Sequence, residues 1–379
     1  MKNILLLIIS VILCLLLVET GLRILTPFPI NQTSNRTHDP TLGYRFSTRL
    51  GDIDKNGFRN ENGKTYQIAA IGDSQTYGIN VPSVQSWPSQ LASMLNRSVY
   101  NFGVGSYGIF SYHAIIKTQL QPDTQAVIIG FYSANDLELD YSYCQIDKEN
   151  DDFWKMEIES LHLKIPAVKH CRDRHLNKKT RTIPGLKNWL FENTAFLNAI
   201  KILVVSRLKQ NQVPVKDTNK YYYFPDGIDP IAKGRARGHA KMLDLSNPDI
   251  LAMYENMRIF IADWSAWSQS NGISLGVMFI PSLERVVYEY FKAKDGLDYI
   301  DPDFINAVQK QITMEEKITE LLDNNKVPHK NALGKTLRAF QKSIKNEERF
   351  YPYDNGHPYA EGYRAYAGTA YELWQEMTE

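Results

Sequence analysis

Four short stretches of this sequence carry groups suited to acyl transfer. Gly72-Asp73-Ser74-Gln75-Thr76 sets a serine hydroxyl on a tight turn. Serine is a weak nucleophile near neutral pH and needs a base within hydrogen-bond reach. Asn101-Phe102-Gly103-Val104-Gly105-Ser106-Tyr107-Gly108 is flexible enough to aim a backbone N–H at a ligand. Asn135, in Ser133-Ala134-Asn135-Asp136, offers an amide that can donate to a developing negative oxygen. Asp354 and His357, three residues apart, supply a carboxylate and an imidazole. Each stretch alone also has a plain structural use. Gly-Asp-Ser is an ordinary turn sequence, Asp354 or Asn355 could cap a helix, and Asn135 could satisfy loop backbone groups. Their joint placement at strand ends and in a C-terminal loop is what points to catalysis.

The strand ends follow from hydrophobic patterning. Gln67 to Ile71 is a short apolar run that stops at Gly72-Asp73-Ser74, as a buried strand ending in a turn does. Ser83 to Asn96 carries Trp87, Leu91, Met94 and Leu95 at helical spacing, Val99 to Phe102 reads as a strand, and Ser111 to Leu120 as a helix. Gln125 to Tyr132, centred on Ala126-Val127-Ile128-Ile129, reads as a fully buried strand. Further on, Ile250 to Ser270 reads as a helix closed by Asn271-Gly272, Ile273 to Ile280 as a strand stopped by Pro281, and Ala360 to Met377 as a terminal helix. Strands alternating with helices predict parallel βαβ units. In an open parallel sheet, binding and catalytic groups collect at the carboxyl edge.

These residues, in this order, resemble the SGNH hydrolases, also called the GDSL family. The resemblance implies an α/β fold, a flavodoxin-like three-layer α/β/α sandwich with a mainly parallel sheet. It makes Ser74 the nucleophile, His357 its base and Asp354 the carboxylate that orients the base. The implied oxyanion hole combines the N–H of Ser74, a backbone N–H of the second block and the side chain of Asn135. Counting from Asn101 places Ser106 in the second-block register, with Gly105 as the alternative donor. Ser133 stands where the family has glycine, which adds a side chain near the site, and Gln75 follows the serine where many members have leucine. No cofactor and no metal is implied. Leu42-Gly43-Tyr44-Arg45, Asn56-Gly57-Phe58-Arg59 and Phe279-Ile280-Pro281-Ser282 resemble a bacterial subgroup with an N-terminal membrane segment and an extracytoplasmic catalytic domain. The resemblance covers residues 1–137 and 250–379.

The whole chain bounds these expectations. Its 379 residues, 43% of them hydrophobic, argue against global disorder and against a collagen, coiled-coil or polytopic membrane protein. A formal net charge of +1 gives no chain-wide reason to expect nucleic acid as partner. Ile4 to Val18 is apolar except for Ser10, so residues 1–25 are expected to be a signal anchor or transmembrane helix, with the catalytic domain periplasmic or extracellular. Residues 26–65 read as linker and lead-in, and 66–379 as the hydrolase domain, with insertions at about 140–248 and 283–349. The first insertion shows an amphipathic helical pattern from Leu186 to Leu208. It also holds Tyr221-Tyr222-Tyr223, which with Phe224 and Trp189 reads as packing or as a carbohydrate-stacking surface. Cys144 and Cys171 could form one disulfide in an oxidising compartment, or stay free thiols.

The function expected is a serine esterase acting on O-acyl groups, O-acetyl foremost, of an envelope or extracellular glycan. An O-acyltransferase, a lysophospholipase or thioesterase, and a catalytically silent glycan-binding or assembly protein are the alternatives. Its partners would be the ester substrate and, through the N-terminal segment, a membrane.

Overall fold

The structure is a computed structural model and describes residues 2–25, 36–46, 52–63, 65–137, 142–166, 218–352 and 355–379. Helix α1 (Lys2–Leu25) precedes an antiparallel hairpin of β1 (Arg36–Asp39) and β2 (Gly43–Phe46). The chain then enters the main sheet with β3 (Ile68–Gly72) and continues through α2 (Ser74–Tyr77), α3 (Trp87–Leu95), β4 (Val99–Asn101), α4 (Ile109–Thr118) and β5 (Ala126–Tyr132). Next come α5 (Asp152–Ser160) and a short antiparallel pair, β6 (Tyr221–Tyr222) with β7 (Ile231–Ala232). Helices α6 (Lys233–Met242) and α7 (Pro248–Asn271) lead into β8 (Ser274–Ile280). Then α8 (Leu283–Lys292), α9 (Pro302–Asn324), β9 (His329–Asn331), α10 (Leu333–Lys345) and α11 (Ala360–Thr378) follow.

Five strands form one parallel sheet in the order β4-β3-β5-β8-β9. Every residue of β5 is buried, as a central parallel strand covered on both faces requires. Its side chains alternate between the faces. Val127, Ile129 and Phe131 join the cluster built on α4 and α7, whereas Ala126, Ile128 and Tyr132 join the cluster built on α3 and α11. Helices therefore cover both faces of the sheet. A third cluster unites Val287 and Phe291 of α8, Phe304 and Val308 of α9, and Phe340 of α10 with Tyr222 and Ile231. Tyr222 is thus a packing residue, its ring 5.3 Å from that of Phe304.

The strand order creates the position where a site can form. From β3 the chain goes first to one neighbour, β4, and then to the other, β5, so the connections diverge and leave a crevice at the carboxyl ends. Gly72 of β3 is in register with Gly130 of β5, which brings Asp73-Ser74 and the loop 133–136 to the same edge. Val104 N–H donates to Gly72 O and carries the second block there too.

The anchor expected at the N-terminus is corrected by α1. Among the described residues, no helix is long and apolar enough to cross a membrane. The apolar run from Ile4 to Val18 spans about 22 Å at 1.5 Å per residue, against roughly 30 Å of hydrocarbon, and Glu19 ends it. The helix expected over Leu186–Leu208, with Trp189, and Cys171 lie outside the described residues. Cys144 is disulfide-bonded. The stretch 283–349 supplies β9, the fifth strand, which its all-polar sequence His329-Lys330-Asn331 does not announce.

Candidate active site

Ser74 opens α2 directly after β3, and Asp73 caps that turn with Oδ1 accepting the Gln75 N–H at 2.8 Å. The second block lies against the backbone of α2. A Cβ on Gly103 would come within 2.2 Å of Tyr77 N and 2.5 Å of Thr76 C, so only glycine permits this approach. From the lead-in, the buried Arg59 guanidinium donates to Tyr77 O at 3.1 Å, Gly78 O at 2.7 Å and Val81 O at 3.0 Å. Its Nε pairs with Asp52 at 2.5 Å. The last carbonyl of the four-residue helix, and those of Gly78 and Val81 beyond it, are therefore satisfied by a residue placed ahead of the sheet.

His357 Nε2 stands 2.7 Å from Ser74 Oγ. Its Nδ1 is 2.7 Å from Asn355 Oδ1, which also accepts the His357 backbone N–H at 3.0 Å. An amide oxygen only accepts, so the ring proton sits on Nδ1 and the Nε2 lone pair faces the serine hydroxyl. Asn355 Nδ2 donates to Asn80 Oδ1 at 3.4 Å, which sets the amide's orientation. Three further bonds join the loop before α11, and α11 itself, to the segment after Ser74. Gln75 Nε2 donates to Gly356 O at 3.2 Å, Asn80 Nδ2 to His357 O at 3.0 Å, and Tyr363 Oη to Ile79 O at 2.9 Å.

Electrostatics keep this pair ready for proton transfer. Burial pushes the half-buried His357 ring down to about 4, and the positive charge of Arg235 adds to the effect. The imidazole is therefore neutral, and a base, at neutral pH. Burial pushes the Asp73 carboxyl up to about 6, against donors that include Gln75 N–H and the Ser74 hydroxyl. Ser74 Oγ is also 3.1 Å from Asp73 Oδ2. One proton cannot serve both acceptors, and the shorter contact is the one to His357.

Asn135 lies in a turn closed on itself. Asn135 N–H and Asp136 N–H donate to Tyr132 O at 3.3 and 3.2 Å, and Asp136 Oδ2 accepts the Tyr132 N–H at 2.7 Å. Asn135 is half-buried, and its Oδ1 is buried without a partner among the described residues. Ser106 occupies the third place of a turn in which Tyr107 N–H donates to Val104 O at 3.1 Å. Its φ of +63° is the left-handed conformation that side chains disfavour, here adopted at the sheet edge that carries Ser74. Gly105 is buried, its carbonyl accepting from the Tyr44 hydroxyl.

Part of the first insertion also reaches this region. Arg235 Nε of α6 pairs with the buried Glu284 at 2.8 Å, and His239 Nδ1 lies 3.4 Å from the same carboxylate. Burial would raise the Glu284 carboxyl, but His239 and Arg235 hold it well below the usual range. The His239 ring meets Tyr132 edge-on at 6.4 Å.

The structure thus brings Ser74 and His357 together and sets Asn135 and the Gly105-Ser106 turn at the same sheet edge. Asp354 lies outside the described residues. The group seen to orient His357 is Asn355, which the sequence offered only as a helix cap. Asn80 and Arg59 were also missed as supports of the site. The Asn-x-His spacing was the available signal, since an asparagine side chain bonds the backbone two residues on. Ser133 does not crowd the site: its hydroxyl is buried against Glu315 of α9, 2.6 Å away.

The chain matches no family model and no curated protein. Three chains of solved structures are similar to it. One of them covers 82% of this chain and 97% of its own at 13% identity, with a TM-score of 0.37, which carries no argument about fold or activity.

Proposed function

We propose that this protein is a serine esterase of the SGNH type, hydrolysing O-acyl esters, with O-acetyl groups of an envelope or extracellular glycan as the substrate class. The observation that carries this reading is the 2.7 Å contact between Ser74 Oγ and His357 Nε2. The strand order supports it, since counted along the sheet it is the 2-1-3-4-5 order of flavodoxin-like sandwiches. The disulfide at Cys144 favours an oxidising compartment, periplasmic or extracellular. The glycan itself is inferred from family resemblance and compartment.

In the reaction, His357 Nε2 takes the proton of Ser74 as Oγ attacks the ester carbonyl, while Nδ1–H stays bonded to Asn355 Oδ1. Negative charge gathers on the carbonyl oxygen, where the Ser74 N–H, the Ser106 or Gly105 N–H and the Asn135 amide would donate to it. One such donor is worth about 3 to 4 kcal/mol of transition-state stabilisation. The imidazolium then protonates the leaving alcohol, and water, activated by the same ring, releases the acyl group from Ser74. The Asp354 carboxylate would assist the imidazolium.

The test is hydrolysis of a short-chain aryl acetate by the purified protein. Ser74→Ala and His357→Ala should each lower kcat by at least about 1,000-fold. Equal rates in wild type and Ser74→Ala would overturn the proposal. Acetyl appearing mainly on an added oligosaccharide rather than in water would make the protein a transferase.

A further inference from the structure

Beneath the Asn135 turn lies a buried polar network that the proposed chemistry does not use. Ser133 Oγ donates to Glu315 Oε1 at 2.6 Å and receives a bond from Gln311 Nε2 at 3.0 Å. Gln311 Nε2 also reaches Glu315 Oε1 at 3.2 Å, and its Oε1 accepts from Ser282 Oγ at 2.7 Å. Asn331 Nδ2 of β9 approaches Glu315 Oε2 at 3.5 Å. Ser133, Gln311, Glu315 and Ser282 are all buried. The network joins the end of β5 to the end of β8, to β9 and to α9.

Burying a carboxyl costs free energy unless its oxygens are engaged, and here the shortest bond to Glu315 comes from the hydroxyl two residues before Asn135. Backbone bonds close the Tyr132–Asp136 turn internally, and two long ones, Ser133 N–H to Ile280 O and Ile109 N–H to Asp136 O, both 3.4 Å, hold it to β8 and to the start of α4. The Ser133 hydroxyl, 3.2 Å from Ile280 O and 2.6 Å from Glu315 Oε1, makes its shortest tether to α9.

We infer that Glu315 is a positioning residue for Asn135, acting through the Ser133 hydroxyl to set where the asparagine amide stands relative to Ser74. The inference rests on the esterase reading for its kinetic consequence only. It also gives Ser133 a use: where glycine would leave the turn held by long backbone bonds, serine adds a short bond to α9.

The experiment compares Ser133→Ala, Glu315→Met, Glu315→Gln and the Ser133→Ala/Glu315→Met double variant. With an aryl acetate, Ser133→Ala and Glu315→Met should each lower kcat at least tenfold, with KM within about twofold. The double variant should lose no more than the worse single one. Glu315→Gln, which keeps an acceptor oxygen, should stay within threefold of wild type. Independently of any activity, amides of residues 133–137 should exchange hydrogen at least tenfold faster in Ser133→Ala, while those of α9 and α11 keep wild-type rates. Additive losses, or unchanged exchange over 133–137, would overturn the inference. Absence of Ser74-dependent hydrolysis in wild type would instead overturn the esterase reading, and exchange would still decide this one. Should Glu315→Met fail to fold, Ser133→Ala carries the test.

Discussion

Asn355 Oδ1 accepts two bonds from His357, one from its backbone N–H at 3.0 Å and one from its ring Nδ1–H at 2.7 Å. A neutral oxygen thereby orients the ring without adding a charge beside it. Asn355→Ala should lower kcat/KM by on the order of 10- to 100-fold through loss of ring alignment. Asn355→Asp should keep the alignment and raise the basicity of the imidazole, moving the acidic limb of the pH–rate profile upward. Profiles of the two variants against wild type check both outcomes; an unshifted limb in Asn355→Asp would refute the second.

On the proposed mechanism the base sets the pH range of activity. Burial, reinforced by Arg235, holds His357 at about 4, below its ordinary 6.5. A base is lost when it is protonated, so a lowered value means activity persists as pH falls through 6.5 and fails only near 4 to 5. Arg235→Met removes a positive charge and should move that limb upward. Measuring kcat/KM from pH 4 to 9 tests both statements, and a wild-type limb at or above 6.5 would contradict the first.

Asp73 has the opposite sign. Its folded value of about 6 exceeds the ordinary 3.8, so the folded state holds the proton more tightly than the unfolded chain. Stability is therefore fully present below about 4 and is lost as pH rises through 6. Asp73→Asn cannot ionise and keeps an acceptor for the Gln75 N–H. It should be more stable than wild type at pH 8, by on the order of 2 to 3 kcal/mol, with the difference vanishing near pH 4. Urea titrations at the two pH values provide the measurement.

Two substitutions separate alignment from folding. Gly103→Ala drives a methyl into the backbone of α2 and should destabilise by ~3 kcal/mol or more, visible as a lowered Tm. Gln75→Leu removes the bond to Gly356 O but also removes a buried Oε1 that has no partner among the described residues. Its stability should change by less than about 1 kcal/mol while kcat falls several-fold, because the serine turn and the histidine loop lose a direct tie.

Much of the sheet could be read in advance because buried parallel strands announce themselves. Ala126-Val127-Ile128-Ile129 falls in β5, and Asn271-Gly272 ends α7 with Gly272 at φ +63°. The Ser74–His357 contact was legible for a different reason: a serine turn and a histidine loop are short motifs whose chemistry shows in residue type. Their supports were less so: Arg59 and Asn80 bond backbone carbonyls 18 and 277 positions away, and Asn355, two residues from His357, left only the Asn-x-His spacing as a signal. Such partnerships leave no periodicity. The edge strand β9 carries no hydrophobic pattern because its three residues are all polar, and the apolar run from Ile4 to Val18 is too short for the anchor expected of it.

The loop bearing His357 is followed by α11, which packs against α3 and β8, and Ser74 precedes His357 by 283 positions. At roughly 5 to 20 residues per second, a ribosome extrudes the alcohol about 15 to 60 seconds before the ring that activates it. Throughout that interval the nascent polypeptide carries a hydroxyl no more reactive than that of any other serine. If the proposed esterase chemistry holds, biosynthesis withholds it until α11 docks, and a chain broken off before residue 357 would be inert toward every ester it met.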